Sequence, residues 1–103
     1  MKLIVLFLTC ANQAEADTIA DALLKKKLVA CVKIVPVSAK FLWQGAIDTA
    51  HEILLVMDSE SSKFAVIEQE VRKHHSYKTF VLTAIEIANA SDGVEKWIQE
   101  SMR

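Results

Sequence analysis

The chain has 103 residues, 52% of them hydrophobic, with two glycines, one proline and a formal net charge of -1. This length indicates a single domain, 1–103, which would gain stability by burying further apolar surface in an oligomer. The near-neutral charge, with lysines spread along the chain, leaves no basic surface for nucleic acid, and no apolar stretch is long enough to span a membrane.

The first predicted element is a strand from Leu3 to Leu8. This run is continuously apolar, which is typical of a strand that is buried on both faces. With Lys2 in front of it, the run also resembles a secretory signal. However, its six apolar residues are fewer than the roughly 7–15 of a signal core. We therefore expect a buried strand.

The second predicted element is a helix that begins after Asn12. Glu15 follows three residues later, close to the pattern of a capping box. The helix ends in Lys25-Lys26-Lys27, where cations meet the negative end of the helix dipole. We expect this lysine run to be solvated. The apolar residues of this helix share one face and form a stripe: Ala16, Ile19, Ala20, Leu23 and Leu24.

A long antiparallel hairpin is predicted next. Its first strand runs from Val29 to Trp43 and its second from Ile47 to Met57, with a tight reversal at Gln44-Gly45. Pro36 interrupts the first strand, since proline cannot donate to the ladder. A hairpin of this length leaves a strand edge available for another chain.

Three further elements complete the chain. A helix is predicted after Asp58 to Ser62 and ends near His75, a strand runs from Phe80 to Ile87, and a last helix begins at Asp92. The order of elements is therefore βαββαβ with a long hairpin between the second and third strands and a C-terminal helix. This order predicts an α+β, ferredoxin-like fold.

The two cysteines, Cys10 and Cys31, do not form a disulfide framework, and their separation fits no zinc-ligand spacing. Both lie beside predicted strands, where apolar neighbours raise the pKa of a thiol and make it inert. We therefore expect buried thiols in a reducing, cytoplasmic environment. Because the sequence also lacks a glycine-rich phosphate loop and an activated nucleophile, we expect no enzymatic activity.

His74 and His75 lie at the end of the second helix, and Tyr77 follows them. Imidazole binds metals and transfers protons near neutral pH. Adjacent helix positions point about 100° apart, so both rings cannot bind one ion. Either ring could instead pair with a distant ligand, or both could simply favour the negative helix end. The candidate distant ligands are Cys10, His51, Glu52 and Glu86.

The two tryptophans are candidates for packing or interface anchors. Trp43 lies at the hairpin tip and Trp97 on the apolar face of the last helix. Aromatic anchors are enriched at protein interfaces. We expect an interface role for Trp43, because a long hairpin extending beyond a small core must be covered.

Several segments are characteristic in combination: Leu28 to Pro36, Trp43 to Gly45, Glu52, His74 to Tyr77, and Trp97. In this order and spacing they resemble the CutA family of divalent-cation tolerance proteins, over nearly the whole chain. The resemblance implies a soluble, ferredoxin-like subunit that forms a tight homotrimer with the architecture of the PII signalling proteins. It also implies a non-enzymatic role in tolerance of copper and other divalent metals.

The loop that contains the histidines diverges from the family pattern, which is His-Pro-Tyr, two residues, then Pro-Glu. Ser76 replaces the first proline, Phe80 the second and Val81 the glutamate. A carboxylate is thus lost from the region between subunits where the resemblance implies a ligand. His75 and Tyr77 remain.

The resemblance and the residue chemistry together predict a metal site and a ligand cleft. We expect copper, which heads the affinity order for imidazole and thiolate ligands, or another divalent metal, which the fold itself does not require. The predicted metal ligands are His75, Cys10 and His74. The residues predicted to line the ligand cleft or the interface are Tyr77, Trp43, Glu52 and Cys31. The alternative is a PII-like signalling module that binds a small molecule or a partner protein in the cleft.

Overall fold

The computed structural model describes all residues, 1–103. Its elements are β1 (Leu3–Cys10), α1 (Gln13–Lys25), β2 (Cys31–Trp43), β3 (Ala46–Glu60), a 3-10 turn (Ser61–Lys63) that continues into α2 (Phe64–His74), β4 (Leu82–Glu86) and α3 (Val94–Ser101). The longest helix has 13 residues, and none combines the length and apolarity that crossing a bilayer requires.

The four strands form one antiparallel sheet in the order β2-β3-β1-β4. This arrangement confirms the ferredoxin-like α+β fold. β1 continues beyond the predicted end at Leu8 because β3 keeps pairing with it as far as Cys10 and Ile53. β4 is shorter than predicted because the ring of Phe80 stacks on His75, and Phe80 does not enter the strand.

One face of the sheet carries the core. Alternate residues of β1 are almost fully buried, as a strand beneath two helices requires. The opposite face of the strand is only half-buried within a single chain. The sequence predicts that β1 is buried on both faces, but a single chain buries only the face beneath the helices. The fully covered positions are Ile4, Leu6, Leu8 and Cys10.

The start of α1 is fixed by side-chain caps. Asn12 Oδ1 accepts a hydrogen bond from the N–H of Glu15 at 2.9 Å. Glu15 Oε2 accepts one from the N–H of Ala11 at 2.8 Å, one residue further back than in a standard capping box. The predicted helix start is confirmed, and its cap holds the Glu15 carboxylate against the end of β1.

The β2–β3 hairpin extends beyond the rest of the sheet. Its turn residues, Gln44 and Gly45, both have positive φ, 49° and 79°, as a type I′ turn requires. β1 pairs with β3 only as far as Ile53, so the ladder beyond this point consists of two strands. The radius of gyration is 14.3 Å, larger than the ~13 Å of a compact domain of this size.

Apolar side chains are exposed on two surfaces. The hairpin tip, defined as Leu42, Trp43 and Ile47, has exposed fractions of 79%, 58% and 74%. The open sheet face is the side away from the helices. By register its apolar residues, all half-buried or exposed, include Val5, Phe7, Val35, Leu54, Val56 and Ile85. Monomeric proteins rarely leave large contiguous apolar patches exposed.

A buried carboxylate links the two long helices. Glu70 of α2 accepts hydrogen bonds from Lys26 Nζ at 2.7 Å and Lys73 Nζ at 3.2 Å, and its other oxygen lies 3.1 Å from His74 Nε2. The bond from Lys26, with that of His74, lowers the pKa of Glu70 to about 2. The lysine run at the end of α1 is therefore not simply solvated, because Lys26 connects α1 to α2.

We expect Glu70→Gln to lower the melting temperature by roughly 5 °C at pH 7, measured by thermal unfolding at fixed protein concentration. The folded-state pKa of Glu70 lies below its ordinary value, so its contribution is present above about pH 4.5 and is lost as the pH falls towards 2. The difference between variant and wild type should shrink over the same range.

Glu68→Gln is the matched control for this experiment. Glu68 is on the same helix and pairs with Arg72 at 3.5 Å, but both side chains are well exposed. An exposed pair of this kind contributes little to stability. Equal melting temperatures for the two variants would contradict the structural role of Glu70.

Candidate functional site

Three metal-ligating side chains meet where β1 ends. Cys10 is the last residue of β1, Glu15 lies in the first turn of α1, and His75 directly follows α2. One ligand atom of each, a sulfur, a carboxylate oxygen and a ring nitrogen, lies within 4.8 Å of the other two. The site is also enclosed, since the side chains of His75 and Glu15 are 0% and 8% exposed.

The His75 ring is held by partners on all sides. Its Nε2 lies 2.8 Å from the carbonyl oxygen of Thr9, to which it donates, and its Nδ1 accepts from the N–H of Tyr77 at 3.0 Å. The ring also stacks on Phe80, with centroids 5.2 Å apart. A backbone carbonyl that fixes one nitrogen as a donor leaves the other with its lone pair, the arrangement common to metal-binding histidines.

The Glu15 carboxylate joins α1 to the loop after α2. Burial raises the pKa of Glu15, but the hydrogen bonds from Ala11 and Ser76 outweigh it and hold the pKa below its usual value. The bond from the Ser76 N–H is 2.6 Å long, and Glu15 Oε2 lies 3.7 Å from His75 Nδ1. Glu15 is therefore an anion at neutral pH, next to the ring nitrogen that carries a lone pair.

The Cys10 thiol is protonated at neutral pH. Burial, followed by the charges of Glu15 and Glu52, raises its pKa to about 12. Such a thiol is a poor nucleophile. A bound metal cation would instead favour the thiolate, because it replaces the thiol proton and neutralises the charge of the adjacent carboxylates.

The donor set fits a borderline or soft divalent metal. Thiolate, imidazole and carboxylate together suit copper or zinc better than magnesium or calcium, which prefer oxygen ligands. His75 Nδ1 would bind the ion once it is free of the Tyr77 N–H, and Cys10 Sγ and Glu15 would complete a three-residue set. Three protein ligands leave one position of a tetrahedral site open.

The structure brings two of the three predicted metal ligands together and places the third elsewhere. Cys10 and His75 meet in the cluster, whereas His74 lies against Glu70 on the side of α2. Glu86, a candidate distant ligand, pairs with Lys2 at 3.7 Å. Sequence reasoning assigned Glu15 only a capping role. Its position three residues after the cap could have indicated that its carboxylate turns back towards Cys10.

Tyr77 and Glu52 form a second contact beside this cluster. The Tyr77 hydroxyl donates to Glu52 Oε2 at 2.9 Å, and the Tyr77 and His75 ring centroids are 4.9 Å apart. Burial, and then the hydrogen bond and charge of Glu52, raise the pKa of Tyr77. This contact ties the loop after α2 to β3.

An open cleft of about 310 Å³ lies where the hairpin leaves the sheet, beside the start of α1. Its lining includes Asn12, Pro36, Val37, Ser38, His51 and Glu52. Of the four residues predicted for the ligand cleft or the interface, Glu52 lines this space and Tyr77 contacts Glu52. A larger cleft of about 720 Å³, near Lys2 and α3, contains Glu86 but none of the residues predicted as metal ligands with His75 or as lining of the ligand cleft.

Trp43 and Cys31 lie away from both the cluster and the cleft. Trp43 is at the hairpin tip, and Cys31 is half-buried at the start of β2, paired with Asp58. The expectation of a buried thiol thus holds for Cys10 but not for Cys31. Trp97 is 48% exposed, so it does not serve as core packing within a single chain.

Residues 4–101 match the family described as CutA1 divalent ion tolerance protein. The divalent-cation tolerance protein CutA of Archaeoglobus fulgidus is 38% identical over 97 residues, which cover 94% of this chain and 95% of that protein. The protein of the same name from Thermus thermophilus is 31% identical over 98 residues, covering 94% and 95%. The chain spans only 62% of the CutA homolog of Xenopus laevis.

Solved structures give the same result. The structure of the periplasmic divalent cation tolerance protein CutA from Archaeoglobus fulgidus matches with a TM-score of 0.94 and 37% identity, covering 98% of this chain and 99% of that one. Oryza sativa CutA1 matches with a TM-score of 0.95 and 27% identity, covering 100% and 95%. A related protein of Arabidopsis thaliana is named as chloroplastic, so the names of the relatives indicate more than one compartment.

Proposed function

Since the chain belongs to the CutA1 family of divalent ion tolerance proteins, we propose that it acts by binding the divalent cation itself. The observation that carries this proposal is the convergence of Cys10 Sγ, a Glu15 carboxylate oxygen and a His75 ring nitrogen within 4.8 Å. A thiolate and an imidazole favour copper, which heads the affinity order of the divalent metals.

The surrounding residues prepare the site for a cation. The Thr9 carbonyl holds the His75 ring so that Nδ1 faces Glu15, and the backbone N–H groups that bond Glu15 keep it ionised. The bound metal would supply positive charge next to the Glu15 carboxylate. Cys10 would bind as the thiolate, so each binding event releases one proton.

We also propose that the protein is a homotrimer. Its support is the apolar surface that one chain leaves uncovered: the hairpin tip and the open sheet face. The outer strands β2 and β4 each have one unpaired edge, and unpaired edges readily accept strands of another copy. Assembly of three chains would cover the face of β1 that the helices leave half-exposed.

The proposal includes no enzymatic step and places the protein in the cytoplasm. The Cys10 thiol, with a pKa of about 12, is not activated as a nucleophile. Both cysteines are free, which suits a reducing compartment. Metal binding and release would then constitute the activity.

We expect wild-type protein to bind Cu(II) saturably in isothermal titration calorimetry, and His75→Gln to bind at least a hundredfold more weakly. Loss of an outer-shell partner alone commonly costs 10–100-fold, and His75 would be a direct ligand. His51→Gln is the control, because His51 is an exposed histidine of β3 outside the cluster. No saturable binding, or equal affinity of His75→Gln and wild type, would contradict the site.

A second candidate function is recognition of a small molecule, as in a PII-like signalling or interaction module. The specific observation in its favour is the cleft of about 310 Å³ beside Glu52. This volume lies at the lower end of the range for ligand sites. The residues that line this cleft do not include Cys10, Glu15 or His75, so the two candidate functions can be tested separately.

A further inference from the structure

The loop that follows His75, residues 76–79, is attached mainly to the proposed metal ligands. Its residues are exposed, and their backbone groups make no hydrogen bond to other backbone groups. The N–H groups of its first two residues donate instead to the side chains of Glu15 and His75. One further backbone bond, from Arg72 to a carbonyl oxygen of the loop, is 3.4 Å long. The position of the loop therefore depends on side chains that a metal would also use.

The two N–H groups differ in what they block. Ser76 donates to Glu15 Oε1 at 2.6 Å, whereas the Glu15 oxygen that lies 3.7 Å from His75 Nδ1 is Oε2. A carboxylate accepts several bonds at its two oxygens, so Glu15 can offer Oε2 to a cation and keep its bond to Ser76. His75 Nδ1 has a single lone pair, which the Tyr77 N–H occupies at 3.0 Å. A cation can bind Nδ1 only after this N–H group has moved away.

The side chain of Tyr77 opposes this movement. Its hydroxyl donates to Glu52 Oε2 at 2.9 Å. Glu52 is only 9% exposed, and a buried carboxylate that loses its donor pays a large desolvation penalty. The Tyr77 ring also lies against the His75 ring, with centroids 4.9 Å apart. Tyr77 is therefore held at both ends, by its N–H group to a metal ligand and by its hydroxyl to β3.

We infer that Tyr77 sets the metal affinity of the site, because its N–H group competes with the cation for His75 Nδ1. This inference deepens the proposed metal-binding function and rests on it. Only molecules in which the Tyr77 N–H is away from Nδ1 can bind metal, so the apparent dissociation constant is the intrinsic one divided by their fraction. The hydroxyl contact with Glu52 lowers this fraction. The competition therefore raises the metal concentration at which the site fills.

The first measurement is Cu(II) titration calorimetry of the full chain as it assembles in solution. We expect Tyr77→Phe to bind about fivefold more tightly than wild type, which corresponds to the net contribution of one hydrogen bond. A tyrosine that only supported the shape of the site would act in the opposite direction, since its loss would loosen the ligands. Thr79→Val is the matched control, because it removes an exposed hydroxyl from the same loop. It should bind as wild type does.

The second measurement follows the two N–H groups separately, by hydrogen exchange of the ¹⁵N-labelled protein with and without saturating Zn(II), which is diamagnetic. We expect Zn(II) to speed exchange of the Tyr77 amide roughly tenfold or more, because this amide loses its acceptor. The Ser76 amide keeps its bond to Glu15 and should exchange as before. Neighbouring amides of one loop thus respond differently to the same ion.

The outcomes distinguish this inference from the metal site itself. If wild type binds no Cu(II) saturably, the proposed function fails and the inference fails with it. If wild type binds Cu(II) but Tyr77→Phe binds it equally or more weakly, the inference alone is overturned. Unchanged or slower exchange of the Tyr77 amide in the Zn(II)-bound protein would also overturn it. Equal acceleration at Ser76 and Tyr77 would indicate general loosening of the loop and would contradict the specific role of Tyr77.

Discussion

Between pH 6 and 8, the affinity of the protein for a divalent metal is expected to rise about tenfold for each pH unit. Burial and two neighbouring carboxylates raise the pKa of the Cys10 thiol to about 12. The thiol is therefore protonated throughout this range and must lose its proton to bind the metal. Release of one proton corresponds to a tenfold change in affinity per pH unit. Higher pH favours the metal-bound form.

Glu15 does not contribute to this dependence of metal affinity on pH. Its pKa is held below the ordinary value by backbone N–H groups, so it is already ionised at pH 6. The slope in this range reports chiefly on the thiol, and it can be measured by competition with a chelator of known pH dependence. Co(II) is a suitable probe, because coordination by a thiolate gives a charge-transfer absorption band.

Cys10→Ser provides the control for the pH profile. This variant should bind more weakly, lose the charge-transfer band and show a flatter pH dependence, because no thiol proton is released. An unchanged slope in Cys10→Ser would mean that the proton comes from another group. A flat profile in wild type would show that Cys10 is not a ligand.

The second large effect concerns assembly: Ile85→Asp is expected to convert the proposed trimer into monomers at micromolar concentration. Ile85 is 60% exposed on the open sheet face of β4, so the substitution leaves the core of the single chain intact. In a trimer it would place an unpaired carboxylate in each interface, at a cost of roughly 3 kcal/mol or more per site.

Light scattering measures this change directly. Wild type should have three times the 11.5 kDa mass of the chain, and Ile85→Asp should have the mass of one chain. Val66→Asp is the matched control, because Val66 is an exposed valine on α2, away from the open sheet face. A monomeric wild type, or dissociation by both variants alike, would contradict the proposed interface.

The fold was largely predictable because its signals are local. The capping pattern at Asn12 and Glu15 and the turn at Gln44-Gly45 both mark boundaries that the structure confirms. Strand ends were less predictable, since β1 reaches Cys10 only because β3 is long enough to pair with it. The length of a strand depends on its neighbours as much as on its own residues.

The candidate site was only partly predictable because its members are distant in sequence. Cys10 and His75 could be named from their chemistry, but the role of Glu15 required the register of α1 against the loop after α2. Residue chemistry alone did not separate His74 from His75, and only the family pattern favoured His75. In the structure the end of α2 directs His74 to Glu70 and His75 to Thr9.

The position of β1 in the sheet has a consequence for synthesis of the chain. β1 is made first but lies between β3 and β4, which are completed only at Glu60 and Glu86. Until then the growing chain exposes an apolar segment with high β-propensity, the kind of segment that aggregates when it is left unpaired. Such long-range pairing also slows folding. The nascent chain therefore needs protection of β1 until most of the domain has been translated.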